Sequence, residues 1–141
     1  MTDSNHALAR RWMQEIWNER RTETVYELMA DDCLGHIEDE TGHRDVRGPE
    51  PFIAFRNAFL TAMPDLHITV EDVVSEGEKL AIRWFVRGTH SEHGLGMPPS
   101  RRSVGFRGIS WLIVRNGKVV EGWDSWNQGG LLHQLRTPLA A

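Results

Sequence analysis

The second half of the chain alternates apolar and polar side chains over long runs, and this pattern most constrains the fold. The alternation covers residues 66–70 and 80–86, and a period of two is typical of a strand with one buried face. Asn116-Gly117 is a strong hairpin signal. It separates a long predicted strand, 102–115, from a last strand, 118–126. These runs predict a meander of antiparallel strands.

The first half of the chain has helical periodicity. Apolar residues recur at three- and four-residue steps within 8–16, the spacing of one helical face. A second helix is predicted through 25–29, with a capping box formed by Thr24 and Glu27. Pro49 suits the first turn of a third helix, and Pro64 ends it.

Short segments connect these elements. Cys33-Leu34 is predicted as a brief strand, 38–47 as an exposed polar loop, and 131–135 as a closing helix. Helices followed by strands predict an α+β fold, with the helices packed on one face of a strongly curved antiparallel sheet. No linker-like tract divides the chain, so we predict a single domain over residues 1–141.

Composition and charge exclude several classes of function. The chain has 141 residues, a net charge of −4 and a single cysteine, Cys33. An acidic chain is a poor nucleic-acid binder, and no apolar run has the length of a membrane span. One cysteine forms neither an internal disulfide nor a multi-cysteine zinc site. The N-terminus lacks a secretory pattern, so we expect a cytoplasmic protein with neither nucleic-acid nor membrane partners.

Asp124 is the most informative candidate for chemistry. It lies in a strand pattern between Trp123 and Trp126. A carboxylate among indole rings loses solvation, which raises its pKa towards the range of a general base. The alternative is an outward-facing aspartate that caps a helix near Gln128.

The facing of Asp124 depends on the turn at Asn116-Gly117. A two-residue turn pairs Asp124 with Ile109, whereas a three-residue turn with a bulge places it opposite Gly108. Only the second turn puts Ser110 on the same face as Asp124.

Other polar residues are weaker candidates. His36, beside the short first strand, could orient a carboxylate or donate to an oxyanion, or it could be a structural histidine. Arg107 could bind a substrate carboxylate, or it could pair with Glu71 on a charged face of the sheet. His90 and His93 lack an obvious third ligand, so no metal site is expected.

Six tryptophans are many for this length, and they could fill the core or line a cavity. Three of them are candidate cavity walls: Trp84 and Trp126 on predicted strands, and Trp17 in the first predicted helix.

Several segments together resemble the SnoaL-like polyketide cyclases, also called ester cyclases, of the NTF2-like superfamily. The resemblance extends over about residues 10–135. The segments that carry it are Met63–Leu66, Arg87–His90, Gly94–Ser100, Val104–Ser110, Asn116–Asp124 and Gly129–Leu135.

The resemblance implies a cone-shaped α+β barrel and a cofactor-free intramolecular aldol condensation of a small, hydrophobic polyketide-like ester. Asp124 matches the acidic base of the family. In such a reaction Ser110, His36 or a bound water could stabilise the enolate oxygen. The resemblance also implies that larger polar groups around the acid are replaced here by Gly35, Gly108, Ser110 and Gly122, which leaves a roomier pocket. The expected pocket residues are Trp17, Trp84, Phe106, Arg107, Gly108, Gly122 and Trp126. No cofactor is expected.

Other functions remain open for such a fold. NTF2-like proteins include epoxide hydrolases, isomerases, dehydratases and hydroxylases, and a non-catalytic cup that binds a small hydrophobic molecule is a further alternative. A hydrolase needs an acid–Arg–acid arrangement that holds a water. We also expect a homodimer, because a sheet face bearing Phe85, Trp111 and Ile113 needs a cover.

Overall fold

The computed structural model describes residues 2–39 and 42–136. The helices are α1 (Thr2–Arg11), which continues into a π-helical segment (Trp12–Asn18), α2 (Thr22–Leu28), α3 (Pro49–Ala62) and α4 (Gln128–Arg136). The strands are β1 (Met29–Asp39), β2 (Gly42–Arg47), β3 (His67–Glu76), β4 (Lys79–Thr89), β5 (Ser103–Arg115) and β6 (Lys118–Trp126). This order confirms the predicted α+β fold.

The strands form one curved six-stranded sheet in the order β2-β1-β6-β5-β4-β3. The predicted meander β3–β6 is antiparallel throughout. The sheet also has one parallel pairing, between β1 and β6, which the antiparallel prediction did not include. This pairing joins the β1–β2 hairpin to the meander and places Gly35 opposite Gly122.

The region around the first strand differs most from the prediction. β1 runs over 11 residues rather than two, and the polar segment predicted as a loop contains β2. β2 is an edge strand on which Val46 alone is partly buried, so its sequence needs few apolar residues. The alternation that reveals a half-buried strand is therefore absent.

The π-helical segment supplies two buried tryptophans to the interior. Trp12 and Trp17 are five positions apart, the hydrogen-bonding step of a π-helix, and both are buried. The predicted capping box is not formed, because Thr24 lies inside α2 and its hydroxyl donates to the Glu15 carboxylate at 2.9 Å.

Helix α3 begins where the chain turns sharply after β1 and β2. Gly48 has a φ of +84°, a conformation that favours glycine, and its N–H donates to the Cys33 carbonyl. Pro49 then occupies the first turn, as predicted. Within the described residues, no helix is long and apolar enough to cross a membrane.

Candidate active site

The facing of Asp124 is set by a bulge in β6. The hairpin turns at Asn116-Gly117 with Arg115 opposite Lys118, and Val120 is then left without a partner. This single extra residue shifts the register, so Asp124 lies opposite Ser110 rather than Ile109 or Gly108. Neither predicted register is correct, but Ser110 and Asp124 do share a face.

Three polar groups form a hydrogen-bonded chain in the interior. The Trp84 indole N–H donates to the Ser110 hydroxyl at 3.0 Å, and that hydroxyl donates to Asp124 Oδ1 at 2.5 Å. Burial raises the pKa of Asp124, and the hydrogen bond from Ser110 offsets this in part. Asp124 is thus a carboxyl group shifted towards the pKa of a general base.

Gly108 makes room for this chain. A Cβ at position 108 would lie 2.5 Å from the Trp84 ring and 2.6 Å from the Trp126 Cβ. The indole of Trp84 therefore occupies the space that a side chain would take, and its N–H reaches Ser110 two residues along β5. The resemblance implied a roomier pocket at this position, whereas the Trp84 ring fills the space.

Asp124 lies where two cavities meet. The first, the hairpin cavity, encloses about 690 Å³ including its open mouth and is bordered by β1 and β2. The second, the aromatic cavity, spans about 460 Å³ including its open mouth and is bordered by Trp17, Trp84 and Phe106. Five residues line both cavities: Trp12, Phe52, Phe55, Asp124 and Trp126.

The structure brings most of the predicted pocket residues to these cavities. Trp17, Trp84 and Phe106 line the aromatic cavity, Gly122 lines the hairpin cavity, and Trp126 lines both. Gly108 lies beneath the Trp84 and Trp126 side chains.

Arg107 is not where the sequence placed it. Its guanidinium pairs with Glu71 at 3.2 Å and lies over the Phe85 ring, 4.6 Å from the centroid, with most of the side chain exposed. It thus belongs to the charged outer face, the alternative that the sequence left open.

His36 is likewise engaged away from Asp124. Its Nε2 is 2.7 Å from a Glu121 carboxylate oxygen, its Nδ1 is 2.9 Å from Asp45 Oδ1, and its ring stacks on Trp123 with centroids 4.5 Å apart. The hydrogen bond with Glu121 is the largest cause of a raised pKa for His36. His36 helps to line the hairpin cavity, but its described hydrogen bonds go to Glu121 and Asp45.

The sequence analysis missed the contribution of Trp12, Phe52 and Phe55 to the cavities. Phe52 and Phe55 lie on the apolar face of α3, which also packs on the core. The helical periodicity of these apolar residues can be seen in the sequence, but periodicity alone does not distinguish a helix face in the core from one that lines a cavity.

Cys33 is a further potentially reactive side chain in the wall of the hairpin cavity. Burial raises the pKa of its thiol to about 11. It is therefore a neutral thiol near pH 7, poorly suited to nucleophilic attack.

Comparison with known proteins identifies the family. The family model of the SnoaL-like polyketide cyclases matches residues 7–135, which is nearly the whole chain. The chain belongs to the SnoaL-like polyketide cyclase family. None of the curated proteins matches it in sequence.

Solved structures of similar fold agree with this SnoaL-like assignment. A protein from Jannaschia sp. CCS1, described as a proposed SnoaL-like polyketide cyclase, superposes with a TM-score of 0.88 at 21% identity. The match covers 99% of this chain and 96% of that chain. IdmH from Streptomyces antibioticus, a proposed polyketide cyclase, has a TM-score of 0.80 at 28% identity, over 94% and 99% of the two chains. AclR from Streptomyces galilaeus, a proposed hydroxylase, has a TM-score of 0.84 at 26% identity, over 100% and 87%.

Proposed function

We propose that this SnoaL-like protein closes a ring in a hydrophobic polyketide-like ester, with Asp124 as the general base. The observation that carries the proposal is the position of Asp124. It is a carboxyl group of raised pKa that lines both cavities and whose described hydrogen bond comes from one serine.

The proton balance of an aldol closure suits one carboxylate. Asp124 takes a proton from a carbon activated by neighbouring carbonyl groups, and the enolate attacks a second carbonyl carbon of the same molecule. The resulting alkoxide then takes the proton back from Asp124. Asp124 therefore serves first as base and then as acid. This double role favours a pKa for Asp124 between that of the activated C–H of the substrate and that of a solvent-exposed aspartate.

Ser110 supports the base rather than the enolate. Its hydroxyl accepts from Trp84 and donates its only proton to Asp124. Because that proton is committed, Ser110 positions Asp124 and tunes its pKa, and the protonated Asp124 is itself the donor available to an enolate oxygen.

The cavities favour a flat, apolar substrate. Aromatic rings surround the aromatic cavity, with Trp17 edge-on to Phe52, Phe55 and Phe59. The hairpin cavity is wider and has the thiol of Cys33 and the glycines Gly35 and Gly122 in its wall. A molecule that spans both cavities passes Asp124, so the reacting carbon lies near its middle.

The epoxide hydrolase alternative has less support. Two of the described arginines each join two carboxylates. Arg11 pairs with Glu15 at 2.8 Å and with Glu27 at 2.6 Å, and Arg21 pairs with Glu15 at 3.4 Å and with Glu23 at 3.2 Å. These residues belong to the helical part of the chain, and none of them borders the two cavities described above.

The decisive test measures proton abstraction separately from ring closure. Aryl β-ketoesters with a second carbonyl group are incubated with the protein in D₂O, and NMR follows both deuterium exchange at the activated carbon and product formation. Loss of a general base costs about 10²–10⁴-fold in rate, so Asp124→Asn should lose exchange and closure together. Asp31→Asn, an exposed carboxylate on β1, is the matched control and should retain both.

Two results would overturn the proposal. One is exchange and closure that survive in Asp124→Asn. The other is tight binding of these esters by the wild-type protein without acceleration of either step, which would establish a binding protein instead.

The similarity to AclR gives a second candidate, a hydroxylase. The same deprotonation yields a carbanion that could react with O₂ instead of a second carbonyl group, and the resulting hydroperoxide would lose water to leave a carbonyl group at that carbon. A product that has gained one oxygen atom and lost two hydrogen atoms, formed only in air, would favour this reaction, whereas a cyclised product formed equally under nitrogen would favour the cyclase.

A further inference from the structure

Two histidines and an aspartate converge on the outer face of the β1–β2 hairpin. His36 on β1 lies directly opposite Asp45 on β2, and His43 is two residues from Asp45 and so shares its face. The ligand atoms of the three side chains all lie within 4.8 Å of one another. Among the described residues, these three form the one cluster of at least three side chains that could hold a metal ion.

Both histidines contact the same carboxylate oxygen of Asp45. Asp45 Oδ1 is 2.9 Å from His36 Nδ1 and 2.8 Å from His43 Nε2. Two imidazole nitrogens and a carboxylate oxygen are the donor set of many three-ligand sites for Zn²⁺ and related ions. A tetrahedral zinc ion holds such donors about 3.3 Å apart, so each ring nitrogen must move about half an ångström away from Asp45 Oδ1 to admit it.

His36 also has the support that a metal-binding histidine usually has. Its second nitrogen, Nε2, is 2.7 Å from a Glu121 carboxylate oxygen. A carboxylate behind the ring fixes the tautomer and leaves the other nitrogen for the metal. Trp123 packs flat on the ring, at an interplanar angle of 12°, and restrains its orientation.

We propose that His36, His43 and Asp45 bind one first-row transition-metal dication, of the Zn²⁺ class, with an open position for water. The ion replaces the hydrogen bonds between Asp45 and the two imidazoles, and each imidazole binds it through a ring nitrogen that carries no proton. Because His36 and Asp45 lie on different strands, the ion cross-links β1 to the edge strand β2 beside the hairpin cavity. The site is separate from Asp124.

The test is calorimetric titration of untagged, EDTA-treated protein with ZnCl₂. We expect saturable binding with one ion per chain, weakened at least tenfold in His43→Gln and in Asp45→Asn. The His43 and Asp45 side chains are 50% and 53% exposed, so both variants should fold. His67→Gln, an exposed histidine on β3, is the matched control and should bind as the wild type does.

Quenching of tryptophan fluorescence by Cu²⁺ locates the ion. Among the described tryptophans, Trp123 is the one that stacks on a proposed ligand, so Trp123→Phe should lose most of the saturable quenching while it keeps the Zn²⁺ affinity. Absence of saturable Zn²⁺ binding would overturn the proposal, as would equal binding by the wild type, His43→Gln and Asp45→Asn. These measurements do not involve catalysis, so their outcome is independent of the proposed cyclase activity.

Discussion

The Trp84 indole N–H donates to the Ser110 hydroxyl at 3.0 Å across neighbouring strands. Indole nitrogen is a donor only, so this bond fixes the direction of the serine proton towards Asp124. An aromatic wall of the cavity thereby controls the protonation chemistry of the candidate base. The Trp84 ring also fills the space above Gly108. The same side chain therefore sets both the size of the pocket and the hydrogen bonding around Asp124.

Ser110→Ala should move the pH profile of turnover. The serine hydrogen bond lowers the pKa of Asp124 against the effect of burial, so its loss raises that pKa further. Catalysis needs the carboxylate, and the acidic limb of kcat/KM should therefore shift to higher pH. Trp84 also loses its acceptor, which costs about 1–3 kcal/mol of unfolding free energy.

Ser125→Ala is the control for this variant. Ser125 is the next residue on β6, and its side chain is exposed. A pH profile that shifts equally in both variants, or in neither, would contradict the role given to Ser110.

Gly108→Ala should damage both stability and catalysis. The added methyl group would lie 2.5 Å from the Trp84 ring, and such overpacking typically costs about 1–3 kcal/mol. Displacement of the ring would also break its bond to Ser110. Thermal denaturation and kcat/KM measure the two effects.

Gly129→Ala provides a matched glycine control. A Cβ at Gly129 meets nothing within 4 Å, and alanine is the better residue in a helix such as α4. This variant should be as stable as the wild type or slightly more so. Equal behaviour of the two alanine variants would show that Trp84 does not depend on Gly108.

The strands of the candidate site could be predicted from sequence, whereas the register could not. Alternation and Asn116-Gly117 located β5 and β6, but the bulge at Val120 has no signal in residue type. The clustering of His36, His43 and Asp45 was not predicted either. His43 and Asp45 lie on an exposed edge strand whose polar sequence predicts a loop. The position of Asp45 opposite His36, with His43 on the same face, is therefore visible only in the paired backbone.

Asp124→Asn should leave the protein at least as stable as the wild type at neutral pH. A carboxyl group whose pKa is raised on folding stabilises the folded state below its ordinary pKa of 3.8, and this contribution is lost as the pH rises through the raised value. Asparagine does not ionise and can still accept the Ser110 hydrogen bond. The advantage of Asp124→Asn should therefore be largest at neutral pH and shrink as the pH falls towards 3.8.

Urea denaturation at several pH values tests this pH dependence. Asp31→Asn, an exposed carboxylate, should show no such trend. An Asp124→Asn protein less stable than the wild type at neutral pH would mean that the carboxylate is a structural group rather than a destabilising functional one.

Trp111 and Trp123 lie opposite each other on the outer face of the sheet and are 42% and 37% exposed. Ile109, 47% exposed, extends this apolar surface along β5. Exposed apolar patches commonly mark interfaces, and a self-complementary patch produces a two-fold dimer. We therefore propose a homodimer through this face, with Trp111 near its centre.

Sedimentation velocity at micromolar concentration measures the assembly. The wild type should sediment as a dimer, and Trp111→Lys as a monomer, because two buried lysines would face each other across the two-fold axis without a partner charge. Tyr26→Lys changes an equally exposed aromatic residue on α2 and should remain dimeric. A monomeric wild type, or a dimer that survives in Trp111→Lys, would refute an interface at Trp111 and leave its indole as an isolated surface residue.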